Sequence, residues 1–313
     1  MTKYILTGVD GSLSSQAAKY LMNLTDKKNL IFCGYSEEAL KKYQEQGIET
    51  RVTDFNHKEG LAETFEGGDF LALVSMPFVG EKRRQAQANV VDAAKEAGVQ
   101  KIVYTSLVNA GDPMNPSKEK IDHAYTENYI INSGVDYIFL RNSQYAEAMI
   151  TSYFNFLNNG GVMTSNQGDG LMAYISRKDC AKAVAYALLA YDLHYRILNI
   201  NGSKLMTLAE FIDIANKVTG NHVELKEISD EDTYKAFDAM GVPRTTDGKF
   251  KEHSSAPFSS EGMVTFGQAI REGKMSMHTD EFKKLTGSNP ITVEYMFEHS
   301  NDFQIGDRHS KDI

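Results

Sequence analysis

One helical segment carries the two side chains that we expect to move protons, His123 and Tyr125. His123 and Glu127 are four residues apart and share one helix face, where the carboxylate would orient the imidazole and raise its pKa. The imidazolium would then polarise or protonate a carbonyl oxygen. His123 as a wall residue that only shapes a cleft is the alternative. Tyr125 is a second proton donor, although Ile121, Tyr125 and Tyr129 also have a spacing typical of core packing.

The sequence lacks the residue patterns of several other kinds of catalytic or metal site. The helix lacks the Tyr-x-x-x-Lys pair in which a lysine lowers the pKa of a catalytic tyrosine. The eight histidines form no ligand pair, and the two cysteines, Cys33 and Cys180, lie in apolar patterns. No Gly-x-Ser-x-Gly nucleophile turn is present. We therefore predict no metal, no disulfide and no serine nucleophile.

A glycine-rich turn follows the first apolar run, with the sequence TGVDGSLS from Thr7 to Ser14. Gly8 would make the tight turn and Gly11 would let the backbone approach a pyrophosphate at the helix N-terminus. Ser14 replaces the third glycine of this motif, a small steric penalty. Asp10 would repel a pyrophosphate unless it points to solvent. Such turns also connect strands to helices without a ligand, but this position favours a dinucleotide.

The end of the second predicted strand bears on the choice between NAD and NADP. An acid there bonds the ribose hydroxyls and an arginine pairs with a 2′-phosphate, but residues Cys33 to Ser36 supply neither. Gly34, Tyr35 and Ser36 are candidates to contact the adenosine ribose, and Ser36 is also expected to cap the next helix. The missing acid leaves room for a phosphate and favours NADP, with NAD as the alternative.

These candidates require an α/β framework, which the hydrophobic pattern predicts. Short, nearly continuous apolar runs alternate with helical patterns through the first 140 residues, as in a parallel sheet covered on both faces. We predict a Rossmann-type doubly wound parallel sheet with a smaller, mostly helical C-terminal domain. The expected domains are 1–150 for NAD(P) and 151–313 for the substrate cleft, with a strand near 196–200 returning to the main sheet.

The second part has clear helix boundaries. The pairs Ser176 and Asp179, Thr207 and Glu210, and Ser229 and Asp232 have capping-box spacing, and Gly220, Gly241 and Gly287 stand at expected helix ends. Residues 244–262 are polar and predict a loop, and the stretch from Asn301 predicts a tail.

The charge and the hydropathy of the sequence disfavour two classes of binding partner. The net charge of −9, from 33 basic and 42 acidic residues in 313, argues against nucleic acid, whose binding depends on phosphate neutralisation. The N-terminal residues lead directly into a strand and turn without a signal-peptide pattern, and no apolar stretch has membrane-spanning length. We expect a cytoplasmic protein that binds neither nucleic acid nor a membrane.

Five segments carry a resemblance to a known family. Taken in order, they resemble the NmrA-like atypical short-chain dehydrogenases/reductases, nearest to type 2 NAD(P)H:quinone oxidoreductases and triphenylmethane reductases. The segments are TGVDGSLS, DAAKEAGVQKIVYTSLVNA, NSGVDYIFLRNSQYAEAM, YISRKDCAKAVAYAL and DEFKKLTGSNPITVEYMF. The resemblance extends to about Ser300. It implies a Rossmann domain with a small C-terminal domain, and a cleft between them that holds the substrate over the nicotinamide.

Site residues are implied by the same resemblance. The expected cofactor contacts lie in the pyrophosphate turn, on the adenine side, at the ends of the fourth and fifth strands and in the cleft: Gly8, Gly11, Ser12, Leu13, Asp54, Phe55, Ser75, Met76, Thr105, Ser106, Asn142 and Tyr145. Arg141 is expected to line the cleft beside the last two. His123 stands where isoflavone-reductase relatives carry a catalytic lysine. Gly34 stands where many relatives carry an arginine that favours NADPH.

Three functions follow as hypotheses. The first is an NAD(P)H-dependent oxidoreductase that passes hydride to a quinone, dye-like aromatic or other conjugated acceptor. The alternative is a non-catalytic, NAD(P)-sensing NmrA-like regulator that binds a partner protein, and a nucleotide-sugar epimerase ranks last because its tyrosine base is missing. The expected partners are a small aromatic or quinone substrate and, for self-association, a homodimer.

Overall fold

The computed structural model describes residues 2–77, 79–245 and 258–305, and its centre is a seven-stranded sheet. The strand order is β3-β2-β1-β4-β5-β6-β8, and every neighbouring pair is parallel. The strands of this sheet are β1 (Tyr4–Leu6), β2 (Leu30–Gly34), β3 (Glu49–Val52), β4 (Phe70–Leu73), β5 (Lys101–Leu107), β6 (Asp136–Asn142) and β8 (Arg196–Ile200). The predicted Rossmann-type doubly wound sheet is confirmed.

Alternate side chains of the strands enter two separate cores. Leu6, Phe32 and Leu140 face one layer of helices, whereas Ile5 and Tyr104 face the other. Because both faces are covered, the central strands read as continuous apolar runs. The helices of the first face are α1 (Ser12–Leu24), α2 (Glu37–Gln44), α6 (Arg177–Leu189) and α10 (Glu281–Thr286), and those of the second are α3 (Glu81–Glu96) and α4 (Glu119–Ser133).

A third core lies beside the sheet and is built mainly from the second half of the chain. A short parallel ribbon, in which β7 (Val162–Ser165) pairs with β9 (Glu224–Glu227), lies in this region and was not predicted. Its strands are short and largely polar, so they carry no clear apolar alternation. The elements of this region are α5 (Ala146–Asn158), β7 (Val162–Ser165), α7 (Leu208–Thr219), β9 (Glu224–Glu227), α8 (Asp230–Ala239), α9 (Ser260–Arg271) and α11 (Val293–Glu298).

The predicted helix boundaries agree with the caps in the structure. Ser176, Thr207 and Ser229 each accept a hydrogen bond from the backbone N–H three residues later, and Thr207 forms the complete capping box with Glu210. Gly220 ends α7 in the left-handed conformation, with a φ of 69°.

The loop expected over residues 244–262 is only partly described. Its central part, 246–257, lies outside the described residues, as does the end of the chain after 305. Its last residues contradict the expectation, because α9 already begins at Ser260. The Ser259 hydroxyl caps this helix by accepting from the N–H of Gly262.

The structure also locates the groups considered for metals, disulfides and membranes. Cys33 and Cys180 are buried free thiols, and burial raises the pKa of Cys33 to about 12. Within the described ranges, no group of three or more His, Cys, Asp or Glu side chains is arranged to hold a metal ion. None of the helices described there is both long and apolar enough to cross a bilayer.

Candidate cofactor site

The glycine-rich turn joins β1 to α1 at the carboxyl edge of the sheet. Gly8 has a φ of 65°, the left-handed region that favours glycine, and the Gly11 N–H donates to the Gly8 carbonyl at 2.8 Å. Gly11 is the N-cap of α1, and none of the described side chains caps this helix. The N–H groups of the first turn, which include those of Ser12 and Leu13, are therefore available to an anion.

Ser14 fits where the motif usually has a glycine. Its side chain is buried, and its hydroxyl oxygen lies 3.7 Å from where a Cβ on Gly8 would stand. Among the described atoms this hydroxyl has no hydrogen-bond partner. The serine is accommodated beneath the turn at the cost of an unsatisfied polar group, and the turn keeps its shape.

Arg177 brings a positive charge to the mouth of this turn. It is the first residue of α6, and its guanidinium Nη1 lies 3.4 Å from the Ser12 hydroxyl and 5.5 Å, measured from Cζ, from the ring centre of Tyr145. The buried Glu147 carboxylate accepts the Arg177 backbone N–H at 2.8 Å and fixes the start of the helix. A guanidinium at an uncapped helix N-terminus is a suitable arrangement for binding phosphate oxygens.

The end of β2 forms the next part of the edge. Asp10, from the glycine-rich turn, accepts the backbone N–H of Tyr35 through Oδ2 at 2.9 Å. The side chain of Tyr35 is exposed, and Ser36 caps α2 by accepting from the N–H of Ala39. The carboxylate that we expected to repel a ligand unless it faced solvent is thus held against β2, beside Gly34.

The two candidates after β3 have different environments. The Asp54 carboxylate accepts from the backbone N–H and side-chain amide of Asn56 and pairs with His57, which together hold its pKa below the usual value despite partial burial. Phe55 is 9% exposed and packs in the core of the second face. Because its ring packs inside this core, an adenine bound nearby would contact mainly the loop that contains Asp54.

Two threonine hydroxyls fix the chain where it leaves β4. Thr7 Oγ1 accepts the N–H of Val74 at 3.3 Å, and Thr105 Oγ1 accepts the N–H of Ser75 at 2.7 Å. The Ser75 hydroxyl is buried and lies near the Tyr104 hydroxyl, without a well-formed hydrogen bond. Met76, the next residue, is partly buried against the core of the second face. Thr105 thus fixes the backbone of Ser75 at the carboxyl edge of the sheet.

Asn142 and Tyr145 lie together after β6. The Asn142 side-chain amide donates to the Tyr145 hydroxyl at 3.2 Å, and burial raises the pKa of that phenol far above its usual value. Asn142 Oδ1 and the neighbouring Gln144 Oε1 are buried, and neither has a hydrogen-bond partner among the described atoms. Polar atoms of this kind require an explanation, and a ligand that donates to them is one.

The expected pair of His123 and Glu127 does not form. Arg141 binds both carboxylate oxygens of Glu127, from Nε at 2.9 Å and from Nη2 at 2.6 Å, and Ser106 donates to the same carboxylate at 2.6 Å. A bidentate arginine outcompetes an imidazole for a nearly buried carboxylate. Arg141 and Ser106 are therefore held within the fold by this cluster, instead of lining the cleft with free polar groups.

His123 pairs instead with Tyr104, and its pKa changes in the opposite direction to our expectation. The Tyr104 hydroxyl lies 2.9 Å from His123 Nδ1. Loss of water around the ring, with a smaller contribution from the charge of Arg83, lowers the pKa of His123 well below 6.5. The predicted rise in the pKa of His123 is therefore wrong, because burial lowers this pKa and Arg141 binds the carboxylate that would have raised it.

Tyr125, the other predicted proton donor, lies on the side of α4 that meets α3. Its ring stacks on Tyr129 with 5.9 Å between ring centres, and the guanidinium of Arg84 lies 6.0 Å above it. Tyr129 in turn donates to Asp92 of α3. These contacts join α4 to α3, but Tyr125 is 40% exposed and does not lie in a core.

His123 gives the fold a measurable pH dependence. Below pH 6.5 the unfolded chain protonates this side chain and the native state does not, so stability present above that pH falls on acidification. We expect His123→Asn, which retains a partner for Tyr104, to flatten the acid limb by about 1 kcal/mol per pH unit. Urea unfolding of both proteins between pH 5 and 7 measures this slope, and parallel curves would contradict it.

The residues at this edge fit a dinucleotide. An uncapped helix start, a left-handed glycine and Arg177 suit the pyrophosphate, and the buried oxygen of Asn142 lies farther along the same edge. In parallel α/β sheets, this edge is where ligands bind.

The family can now be assigned by comparison with known proteins. The model of the NmrA-like family matches residues 16–256 of the chain. The protein belongs to the NmrA-like family. The predicted membership is confirmed.

Oxidoreductases are found among its similar relatives in this family. Quinone oxidoreductase 2 of Escherichia coli is 29% identical over 239 residues, which cover 76% of this chain and 82% of the relative. An NmrA-like domain-containing oxidoreductase of Aspergillus flavus is 24% identical and covers 92% of each chain.

Solved structures extend the likeness over nearly the whole chain. The NADPH-dependent quinone oxidoreductase of E. coli in complex with NADPH has a TM-score of 0.85 and 26% identity, covering 95% of this chain and 99% of the other. The triphenylmethane reductase of Citrobacter sp. in complex with NADP(H) has a TM-score of 0.80 and 25% identity with the same coverage. The fold of this NmrA-like protein is that of both enzymes.

Two residues of this edge were missed or misjudged from the sequence. Arg177 is 165 residues from Ser12, and the signal around it was read only as a helix cap. Asp10 was recognised as unusual, but its direction depends on the open N–H of Tyr35, which a motif cannot show.

Proposed function

We propose that this NmrA-like protein is an NAD(P)H-dependent oxidoreductase that passes hydride to a quinone, a dye-like aromatic or another conjugated acceptor. The observation that carries the proposal is the uncapped start of α1, faced by Arg177, at the carboxyl edge of the parallel sheet. The names of the E. coli quinone oxidoreductase and the Citrobacter triphenylmethane reductase support the acceptor class.

In this proposal the glycine-rich turn binds the pyrophosphate. The backbone of Gly11 and the N–H groups of Ser12 and Leu13 donate to the phosphate oxygens, since Gly8 turns the chain sharply enough to expose them. Arg177 neutralises part of the phosphate charge from the opposite side. The contacts on the adenosine side come from Gly34, Tyr35, Ser36 and the Asp54 loop.

The nicotinamide side is assigned to the ends of β4, β5 and β6. A bound reduced nicotinamide supplies the hydride. Ser75, positioned by Thr105, and the unsatisfied oxygen of Asn142 would orient the carboxamide and the acceptor. Tyr145 packs between Asn142 and Arg177 and keeps water from the ring.

The lowered pKa of His123 favours an acceptor that needs little acid catalysis. The ring stays neutral and bound to Tyr104, and Glu127 is bound to Arg141, so neither serves as a strong proton donor or base. A quinone takes up its proton from water after hydride arrives and mainly requires positioning. An epimerase needs a positioned base at the sugar, which these contacts do not supply.

Turnover tests the proposal directly. The purified protein is incubated with NADH or NADPH and a panel of quinones and triphenylmethane dyes, and loss of nicotinamide absorbance is followed. Acceptor-dependent oxidation of either nucleotide supports a reductase. Binding of a nucleotide without turnover on the whole panel would replace it with the non-catalytic NAD(P)-sensing regulator, and no binding would refute both.

Arg177 should contribute directly to nucleotide affinity. We expect Arg177→Met to raise the dissociation constant of the preferred nucleotide about 10- to 100-fold, because a charged hydrogen bond to phosphate contributes about 1.5–3 kcal/mol. Arg177→Lys should lose less, since it keeps the charge without the planar fork. The matched control is Arg196→Met. Arg196 is the first residue of β8 and therefore lies at the amino ends of the strands, away from the proposed site. Equal affinities of the Arg177→Met and Arg196→Met proteins would refute the contact.

A further inference from the structure

The carboxylate of Asp10 bridges the gap between the glycine-rich turn and β2. Oδ2 accepts the Tyr35 N–H at 2.9 Å, and the adjacent Val9 N–H donates to the Cys33 carbonyl at 3.0 Å. Two hydrogen bonds thus hold the turn against the end of β2. The second carboxylate oxygen, Oδ1, lies 3.5 Å from where a Cβ on Gly34 would stand, and no hydrogen bond to it occurs within the described residues.

We propose that Asp10 makes this protein select NADH over NADPH. The inference rests on the proposed cofactor site and departs from the NADPH-bound relatives. In a Rossmann fold, the adenosine ribose lies between the glycine-rich turn and the end of β2, where a carboxylate accepts hydrogen bonds from the ribose hydroxyls. Here the turn supplies that carboxylate, and the N–H of Tyr35 fixes it in place.

Basic side chains around this position are engaged elsewhere. On α2, Lys41 pairs with Glu38, and Lys42 lies over the ring of Tyr43. On β3, the Arg51 guanidinium binds Glu49 and the carbonyls of Thr64 and Glu66. In the following loop, His57 pairs with Asp54 and Lys58 pairs with Asp92.

The charge balance therefore disfavours a 2′-phosphate. Gly34 offers no side chain to pair with it, and Asp10 would lie against it as a like charge. A ribose 2′-hydroxyl is favoured at the same position, because it can donate a hydrogen bond to Oδ1 of Asp10. One side chain thus both attracts NADH and repels NADPH.

Nucleotide fluorescence titrations of the full chain test the inference without turnover. We expect NADH to bind at least about tenfold tighter than NADPH. The repulsion between the Asp10 carboxylate and a 2′-phosphate in contact with it is large enough to weaken binding by more than this factor. NADH lacking the 2′-hydroxyl of the adenosine ribose should bind several-fold more weakly than NADH, because it cannot donate to Asp10. Tighter binding of NADPH, or full affinity for the deoxy analogue, would overturn the inference.

A matched variant isolates the charge. Asp10→Asn keeps an oxygen for the Tyr35 N–H and should reduce the NADH preference at least about tenfold. An unchanged ratio in a protein that melts like the wild type would overturn the proposal. Gly34→Arg is an independent variant, since the φ of Gly34 lies outside the left-handed region and only Leu40, at 3.2 Å, must yield. It should raise NADPH affinity, and no rise would count against the assigned position of the 2′-phosphate.

The same titrations separate the two proposals. Preferred binding of NADPH overturns the role of Asp10 and leaves the reductase proposal intact. Binding of neither nucleotide overturns both. Preferred binding of NADH without turnover supports the role of Asp10 and refutes only the reductase.

Discussion

Gly11→Asp should abolish nucleotide binding while leaving the fold as stable as the wild type or more so. Gly11 is the N-cap of α1 and has extended backbone angles, φ −81° and ψ 157°, which any residue adopts. An aspartate there caps the helix by accepting a first-turn N–H, which contributes roughly a few tenths of a kcal/mol relative to glycine. The same carboxylate occupies the position at the first-turn N–H groups where the pyrophosphate is proposed to bind. The pyrophosphate would then meet a negative charge instead of free N–H groups.

The expected loss of affinity is at least about 100-fold, because like charges about 4 Å apart repel by about 4 kcal/mol near a protein surface. Gly11→Asn is the matched control, since it has nearly the same shape and capping ability without the charge. Both variants must move the Gly8 carbonyl slightly, as a Cβ at this position lies 3.2 Å from that oxygen. Thermal melts and titrations with NADH and NADPH measure the two effects, and equal affinities of the Asp and Asn variants would contradict the assignment.

Gly202→Ala should have the largest effect on stability. Gly202 follows β8 and donates its N–H to the Ala173 carbonyl at 3.1 Å. A Cβ there would lie 1.8 Å from the Tyr174 carbonyl oxygen and 2.7 Å from its carbon. Because both atoms belong to the backbone carbonyl of Tyr174, no side-chain rotation relieves the clash. We expect a loss of at least about 3 kcal/mol, the upper range for overpacking.

Gly47→Ala separates this clash from backbone strain. Gly47 has a φ of 79°, and a Cβ there meets no described atom within 4 Å. It should cost only about 1 kcal/mol, the strain of a left-handed alanine. Denaturant unfolding of both variants provides the comparison. Similar free energies of unfolding would mean that the chain near Tyr174 moves aside easily, contrary to the prediction.

The sequence was sufficient to predict the sheet, the helix starts and the position of the glycine-rich turn. These features depend on local signals: apolar runs for buried strands, Ser or Thr three residues before an acid, and glycines between a strand and a helix. Thr207 with Glu210 forms the box that its spacing predicts. The ribbon of β7 and β9 escaped prediction because its pairing joins residues 162–165 to residues 224–227 and buries few apolar side chains.

The errors at the site arose from competition between distant groups. The spacing of His123 and Glu127 correctly placed both on α4, but it could not show that Arg141 on β6 would bind the carboxylate. Asp10 posed the same problem, since its contact with Tyr35 joins two segments 25 residues apart. Helical and strand periodicities describe which face a side chain occupies, whereas its partner is decided by the packing of several elements.

The position of α6 has a consequence for synthesis of the chain. This helix, Arg177–Leu189, shares the first face of the sheet with α1, and its residues Cys180, Val184 and Leu188 are fully buried there. The strands β1, β2, β4 and β5 are synthesised before α6. Until α6 has been translated, this face of the sheet therefore remains partly uncovered. The nascent protein must therefore keep apolar surface shielded until α6 emerges, a task suited to a chaperone at the exit tunnel.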